Sequence, residues 1–344
     1  MKKFLFIAWL VVIQFLLIAA QTSAMAASYN VTTSLTDPTC DTSVGGYIDL
    51  EYYGIFPQPS VQGNALWFTA FTTGDPIQFF GSTYTNGVSF TDDGFAFLAG
   101  NPGTTPGTPQ ALPNAAAPNA LLAALWHDFE VVYDDGSVSG SRRGISLATE
   151  GGVSGAIVIE YDGVQLAETT DIIGDFEIII DRREGAKDII FAYDNLNQSL
   201  LGNTFTVGIE NEAGDQAYTM INNAAATGVL VNGLRICFDA VPTYTIGGTV
   251  SGLATGNSVV LQNNNVDDLT VTANGGFVFP VALDDGSSYA VTVVTQPDDP
   301  DQFCTVVNGT GTISGGNVTN VDVTCNTKFP WSMFLPAIEN QKQQ

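Results

Sequence analysis

The chain is built from short apolar runs separated by turn residues, and hardly any stretch carries a helical period. Residues 65–71 form one run, Ala-Leu-Trp-Phe-Thr-Ala-Phe. Residues 156–161, 176–180, 188–193, 205–209 and 234–238 form others. They are rich in β-branched and aromatic residues and bounded by Gly, Asn and Asp, which predicts strands. Some alternate apolar and polar positions, and some are continuously apolar. Asp93-Gly94, Asp135-Gly136, Asp162-Gly163 and Gly202-Asn203 mark turns between them. Two segments depart from the pattern. Residues 101–118 carry five prolines and read as a long loop. Residues 119–126, rich in Ala and Leu, fit either a short helix or a buried strand.

The texture changes at Pro242-Thr243 to shorter runs of smaller residues. Seven strand-like runs follow, at 244–250, 258–261, 269–272, 277–283, 289–295, 303–307 and 318–325. That is the size of one Ig-like or transthyretin-like sandwich. The expectation is therefore an all-β chain of two antiparallel β-sandwich domains, residues 28–240 and 242–326. A tail at 327–344 follows, whose apolar part is too short to cross a bilayer. It suits docking back on a sandwich, or sorting and partner binding.

The N-terminus changes the picture of where this architecture works. Lys2 and Lys3 precede an apolar stretch at 4–20, and Ala24-Met25-Ala26 supplies a small-x-small pattern. This predicts a signal peptide over 1–26, of bacterial Sec type, cut ahead of Ala27, with Thr22-Ser23-Ala24 as a second possible site. No later stretch is long enough to span a bilayer. The expected destination is the exterior, as a secreted or cell-surface protein without a membrane span after cleavage.

Charge and cysteine usage sharpen this. With 10 Lys+Arg against 35 Asp+Glu, the net charge is −25, so nucleic acid is excluded as a partner. The four cysteines, Cys40, Cys237, Cys304 and Cys325, allow three pairings. An oxidising exterior makes disulfides the default. The spacing favours Cys304–Cys325 within the small module and Cys40–Cys237 across the large one. Zinc would call for paired Cys-x-x-Cys or Cys/His spacing, and the chain has neither.

The second module resembles a domain that occurs, often in tandem, in bacterial secreted and surface proteins. The resemblance rests on Tyr-x-Ile-Gly-Gly-x-Val-Ser-Gly-Leu at 244–253, Val-x-Leu-Gln-Asn-Asn at 259–264, Leu-Thr-Val-x-Ala-Asn-Gly-x-Phe-x-Phe at 269–279 and Tyr-x-Val-Thr-Val-x-Thr-Gln-Pro at 289–297. It implies an Ig-like or carboxypeptidase-regulatory-like sandwich that acts as a spacer or adhesive unit. The first module resembles a β-sandwich accessory domain found beside secreted bacterial proteases, and more faintly the nidogen-type extracellular domain. Residues 76–85, 92–97, 112–121, 125–129 and 205–211 carry that likeness. Fold-level likeness does not bring activity with it.

Few residues have the makings of a catalytic site. His127 is the sole histidine, it lies in a strand-like stretch, and no Gly-x-Ser-x-Gly elbow accompanies it. Paired carboxylates for glycoside hydrolysis would come from Asp128, Glu130, Glu160, Asp175 and Glu177. Alternation sets Glu177 on one face with Ile179, as an edge or partly buried acid. With 35 acids in the chain, such pairs arise by chance. Calcium is the one metal the oxygen-rich turns would suit, at Asp92 and Asp93, at Asp134 and Asp135, at Asp298, Asp299 and Asp301, and over residues 263–268. The same turns equally well just close hairpins. Trp67, Trp126, Tyr52, Tyr53 and Tyr84 would form a glycan platform if exposed, although aromatics in strand runs usually belong to the core. The resulting expectation is a non-catalytic structural or adhesive interaction protein, with polysaccharide binding as the alternative. Its partner would be an extracellular protein or polysaccharide. No cofactor beyond structural calcium is implied, and the sequence singles out no ligand-binding residue.

Overall fold

A computed structural model of the chain describes residues 28–41, 46–71, 76–98, 107–137, 140–150, 155–183 and 188–328. The expected signal peptide and all but Thr327 and Lys328 of the expected tail lie outside the described residues.

Two large sheets face each other in the first part of the chain. One runs in the order Ser28–Thr33, Arg235–Val241, Ile189–Asp194, Ile172–Asp181, Ala156–Leu166, Arg142–Glu150 and Asp134–Asp135, with Phe129–Glu130 pairing beside Ala156–Leu166. The other runs Ala217–Ala225, Thr204–Glu210, Leu121–Trp126, Phe95–Phe97, Val88–Thr91 and Trp67–Ala70. Ile157, Ile159, Tyr161, Phe176, Ile178 and Phe191 of the first meet Phe90, Leu122, Ala124, Val207 and Ile209 of the second in one core. Two buried hydroxyls tie the sheets together. Tyr161 Oη donates to Thr91 O at 2.8 Å and Tyr193 Oη to Ala124 O at 2.6 Å. Residues 119–126 thus resolve to the buried strand, because their Ala side chains let the facing sheet approach.

The outer faces of both sheets are covered as well, which explains the continuously apolar runs. The described part of the proline-rich loop, residues 107–118, lies over the second sheet. Its Leu112 joins Phe95, Phe97, Leu121, Ala123 and Trp126 in a separate cluster. Asn222 holds it in place, accepting from Leu112 N at 2.8 Å and donating to Leu112 O at 2.7 Å. Over the first sheet lies a strap containing two single-turn 3-10 helices, Pro38–Asp41 and Leu50–Tyr53. Cys40, Leu50, Ile48 and Ile55 of the strap pack on Val158, Ile179, Ile190 and Cys237 of the sheet. The Cys40–Cys237 disulfide closes it. The Asp93-Gly94 turn forms as expected, with Gly94 at φ 75°, and a Cβ there would collide with Leu125 O.

Beyond Val241 a second core appears, built on Ile246, Val250, Val259, Leu261, Phe277, Phe279, Val291, Val321 and Val323. Two four-stranded sheets enclose it. One runs Gly275–Val278, Ile246–Ser251, Val318–Thr327, Gln302–Val307, and the other Asp267–Val271, Val259–Asn263, Ser288–Thr295, Thr310–Thr312. Strands form at each expected run, but 277–283 is broken into the end of Gly275–Val278 and the start of Leu283–Asp284, the latter pairing with Thr243–Tyr244, and Thr310–Thr312 is an additional strand. Cys304 and Cys325 face each other across neighbouring strands and are bonded.

One pairing departs from the antiparallel expectation. Ile246–Ser251 and Val318–Thr327 run parallel. Gly248 lies against Val321 there, so closely that a Cβ would overlap the Val321 carbonyl. Gly248→Ala is expected to cost about 1–3 kcal/mol by overpacking. Calorimetry should show it as a lowered melting transition of the second module alone.

Candidate functional site

The strap builds one wall of a polar concavity. Its underside is fixed by two glutamates that interrupt otherwise apolar strands. Glu160 of Ala156–Leu166 and Glu177 of Ile172–Asp181 stand directly opposite each other, on the outer face of the sheet. Glu160 Oε1 accepts from Tyr47 Oη and from Leu50 N, both at 3.2 Å. Glu177 Oε2 accepts from Ile48 N at 3.0 Å. Together the two carboxylates supply acceptors for a strap with no sheet partner of its own. Glu177 is 0% exposed on an interior strand, so the expectation of an edge or partly buried acid is corrected. The strap is what buries it.

Beside this pair opens a cleft of about 490 Å³, lined among others by Tyr47, Asp49, Glu51, Arg142, Arg143, Glu160, Asp162, Asp175, Asp194 and Asn195. Burial pushes Glu160 up to about 7 and Glu177 well above the usual carboxylate range. Burial, and next the charge of Asp175, pushes Asp162 up to about 8. Asp175 is held by donors, Gly163 N at 2.8 Å and Asn195 Nδ2 at 2.7 Å. Arg142 sits at the rim. Its Nε pairs with Glu51 Oε1 at 3.1 Å, and its guanidinium lies 4.0 Å from the Phe56 ring centroid. On the same strap Tyr52 and Tyr53 are 84% and 68% exposed, with their rings 5.3 Å apart at 84° to each other.

The other expected residues are placed elsewhere. Trp126 is 1% exposed and packs on Phe95, Trp67 packs against the same cluster, and Tyr84 is buried, so these rings form no glycan platform. His127 Nδ1 meets Thr204 O at 2.8 Å, and its ring lies against Phe129 and Phe205. Asp128 is exposed and Glu130 sits in register with Gln165, so neither joins the Glu160–Glu177 pair.

The turn acids serve the fold. Asp92 Oδ1 accepts from Leu66 N at 2.9 Å and Asp93 Oδ1 from Phe129 N at 3.0 Å. Their Oδ2 atoms are buried without a hydrogen-bond partner, and burial pushes the two groups up to about 6 and about 8. Asp134 accepts from Gly136 N at 2.8 Å and Asp135 from Ser137 N at 2.9 Å, which closes the turn locally. Among the described residues no three Asp, Glu, His or Cys side chains converge as a metal cage. No helix among them is long and apolar enough to cross a membrane.

Tyr47, Asp49 and Glu51 are not legible as site residues, because the strap has no periodic pattern, and Asp162-Gly163, expected as a turn between strands, is corrected to an irregularity within the strand Ala156–Leu166. The available signal was Glu160 and Glu177 themselves. A charge inside an apolar strand run calls for a buried partner. No protein-family model matches the chain, and no curated protein matches it either.

Proposed function

We propose that the chain is a non-catalytic secreted or cell-surface interaction protein of bacterial type, whose larger module carries the binding surface on the strap. The carrying observation is the Tyr52–Tyr53 pair. Two large rings stand in solvent on a short helix whose first residue, Leu50, is bonded through its N–H to the buried Glu160 and packed in the apolar cluster beneath. Rigid exposed aromatics beside a polar rim are the usual anchors of a protein interface. The perpendicular rings cannot both lie on one flat sugar chain, which favours an extracellular protein as partner.

The second module, with a compact core between two four-stranded sheets, suits an Ig-like or transthyretin-like spacer. Two disulfides suit an oxidising exterior. The acidity argues against nucleic acid. A second reading, polysaccharide binding, is favoured by the cleft itself, whose carboxylates, Asn195 and Arg142 would hydrogen-bond hydroxyl groups next to one ring face.

The oxidised chain should be applied to parallel arrays of extracellular matrix proteins and polysaccharides, with release of reducing ends assayed on the latter. Saturable binding to a protein is the expected result. Saturable binding to a polysaccharide alone replaces the first reading by the second. Release of reducing ends overturns the non-catalytic assignment.

A further inference from the structure

The strap divides its residues between two surfaces. Tyr47, Asp49 and Glu51 line the polar cleft, whereas Ile48, Leu50, Tyr53 and Ile55 line a second, apolar cavity of about 210 Å³ over the outer face of the sheet. Beneath them lies Ala148 of Arg142–Glu150, in register with Val158 of the neighbouring strand. Alanine at that position leaves space that a Val or Ile side chain would fill. Tyr53, on the wall, is 68% exposed, so the cavity reaches solvent. Its volume lies below the roughly 300–1,000 Å³ of small-molecule sites and suits one inserted side chain.

We infer that, given the protein-binding role proposed for the strap, the occupant of this cavity is a leucine, isoleucine or phenylalanine of a partner segment that also carries an arginine or lysine. The apolar side chain would enter beside Tyr53, and the cation would reach across the strap into the cleft. Charge complementarity decides the second residue. Six carboxyl side chains, Asp49, Glu51, Glu160, Asp162, Asp175 and Asp194, line the cleft against the guanidinium groups of Arg142 and Arg143. Arg142 already pairs with Glu51. The chain as a whole carries −25, so an acidic segment is repelled on approach and a basic one is drawn in. Geometry sets the spacing. A helical turn with its side chains is about 10–12 Å across, and an extended chain advances about 3.3 Å per residue. The two anchors are therefore about three or four residues apart. An apolar anchor in a pocket, ringed by polar contacts that exclude water, is how an interface concentrates its binding energy.

The test applies the oxidised full chain to an array of short Gly/Ser peptides, each holding one leucine and one arginine at varied separations. Counterparts carry serine for the leucine or glutamate for the arginine. Saturable binding is expected at separations of about three and four residues and is lost in both counterparts. It should weaken about tenfold between roughly 0.05 and 0.5 M sodium chloride, as screening takes hold. Ala148→Leu fills the cavity, and Asp194→Lys reverses a charge of the cleft. Each should weaken the peptide by about tenfold or more at unchanged melting temperature. If Ala148→Leu does not fold, the serine counterpart tests the cavity from the peptide side. Absence of binding by every leucine–arginine peptide overturns the inference, and so does binding that the serine or glutamate counterparts keep. A matrix protein bound through Tyr52 and Tyr53 with wild-type affinity in both variants overturns it too, but leaves the proposed role of the strap standing. Matrix-protein binding that survives Tyr52→Ala with Tyr53→Ala overturns that role, and the inference with it.

Discussion

Replacing Cys40 and Cys237 together by alanine is expected to lower the melting temperature of the larger module by roughly 10–20 °C. The bond closes a loop of 197 residues. Constraining a loop of that length removes enough unfolded-chain entropy to contribute about 5 kcal/mol as an upper estimate. For a module of this size each kcal/mol moves melting by about 2–4 °C. The native state loses more than a cross-link. Cys40 and Cys237 belong to the small cluster in which the strap packs on Val158, Ile179 and Ile190. Without the bond the strap is held by that apolar contact and by hydrogen bonds to Glu160 and Glu177. Calorimetry of the double variant against the wild type checks this. The transition of the second module, with its own Cys304–Cys325 bond, should stay where it is. An unchanged larger transition would mean that the cross-link contributes nothing to the stability of that module.

Stability is expected to rise as the pH is lowered from about 8.5 to about 5, the reverse of the usual behaviour of salt-bridged carboxylates. The cause is the set of acids taken into the interior without cations. Burial raises Glu160 and Glu210 to about 7, Asp162 and Asp93 to about 8, and Asp92 and Asp188 to about 6. Between the unfolded values near 4 and these folded values, the native state binds more protons than the unfolded chain. Stability therefore falls as pH rises through that window. It is fully present below the unfolded value and lost above the folded one. Glu160 alone, raised from 4.5 to about 7, accounts for roughly 3 kcal/mol between pH 4 and pH 8. Neighbouring carboxylates titrate as a set, so single contributions do not sum. The urea midpoint measured in chelator at the two pH values checks the sign. A higher midpoint at pH 8.5 would mean that these acids are solvated.

Most of the architecture is written in the strand runs, since residues such as Ile157, Ile159, Ile178 and Phe191 have no soluble alternative to a two-sheet core. The disulfide partners follow from compartment and spacing. The strap does not, because residues 46–56 acquire their form from contacts distant in sequence, Ile48 with Glu177 and Leu50 with Glu160. The burial of Glu177 is invisible for the same reason, since alternation gives the face of a residue but not what covers that face. The parallel pairing of Ile246–Ser251 with Val318–Thr327 is likewise unreadable. It depends on two strands about seventy residues apart meeting where Gly248 has no side chain. Trp67 and Trp126 show the converse. Their place in a strand run points to the core, and the proline-rich loop that buries their face supplies the reason.

The measurement that tests the central claim most directly compares binding of two variants to the wild-type ligand identified on the arrays. Tyr52→Ala with Tyr53→Ala removes the exposed rings of the strap. Phe303→Ala with Val307→Thr removes exposed apolar side chains from the edge strand Gln302–Val307 of the second module. The account requires that binding is lost in the tyrosine variant, at unchanged melting temperature, and retained in the other. Binding retained by the tyrosine variant and lost by the edge-strand variant would contradict it and move the functional surface to the second module.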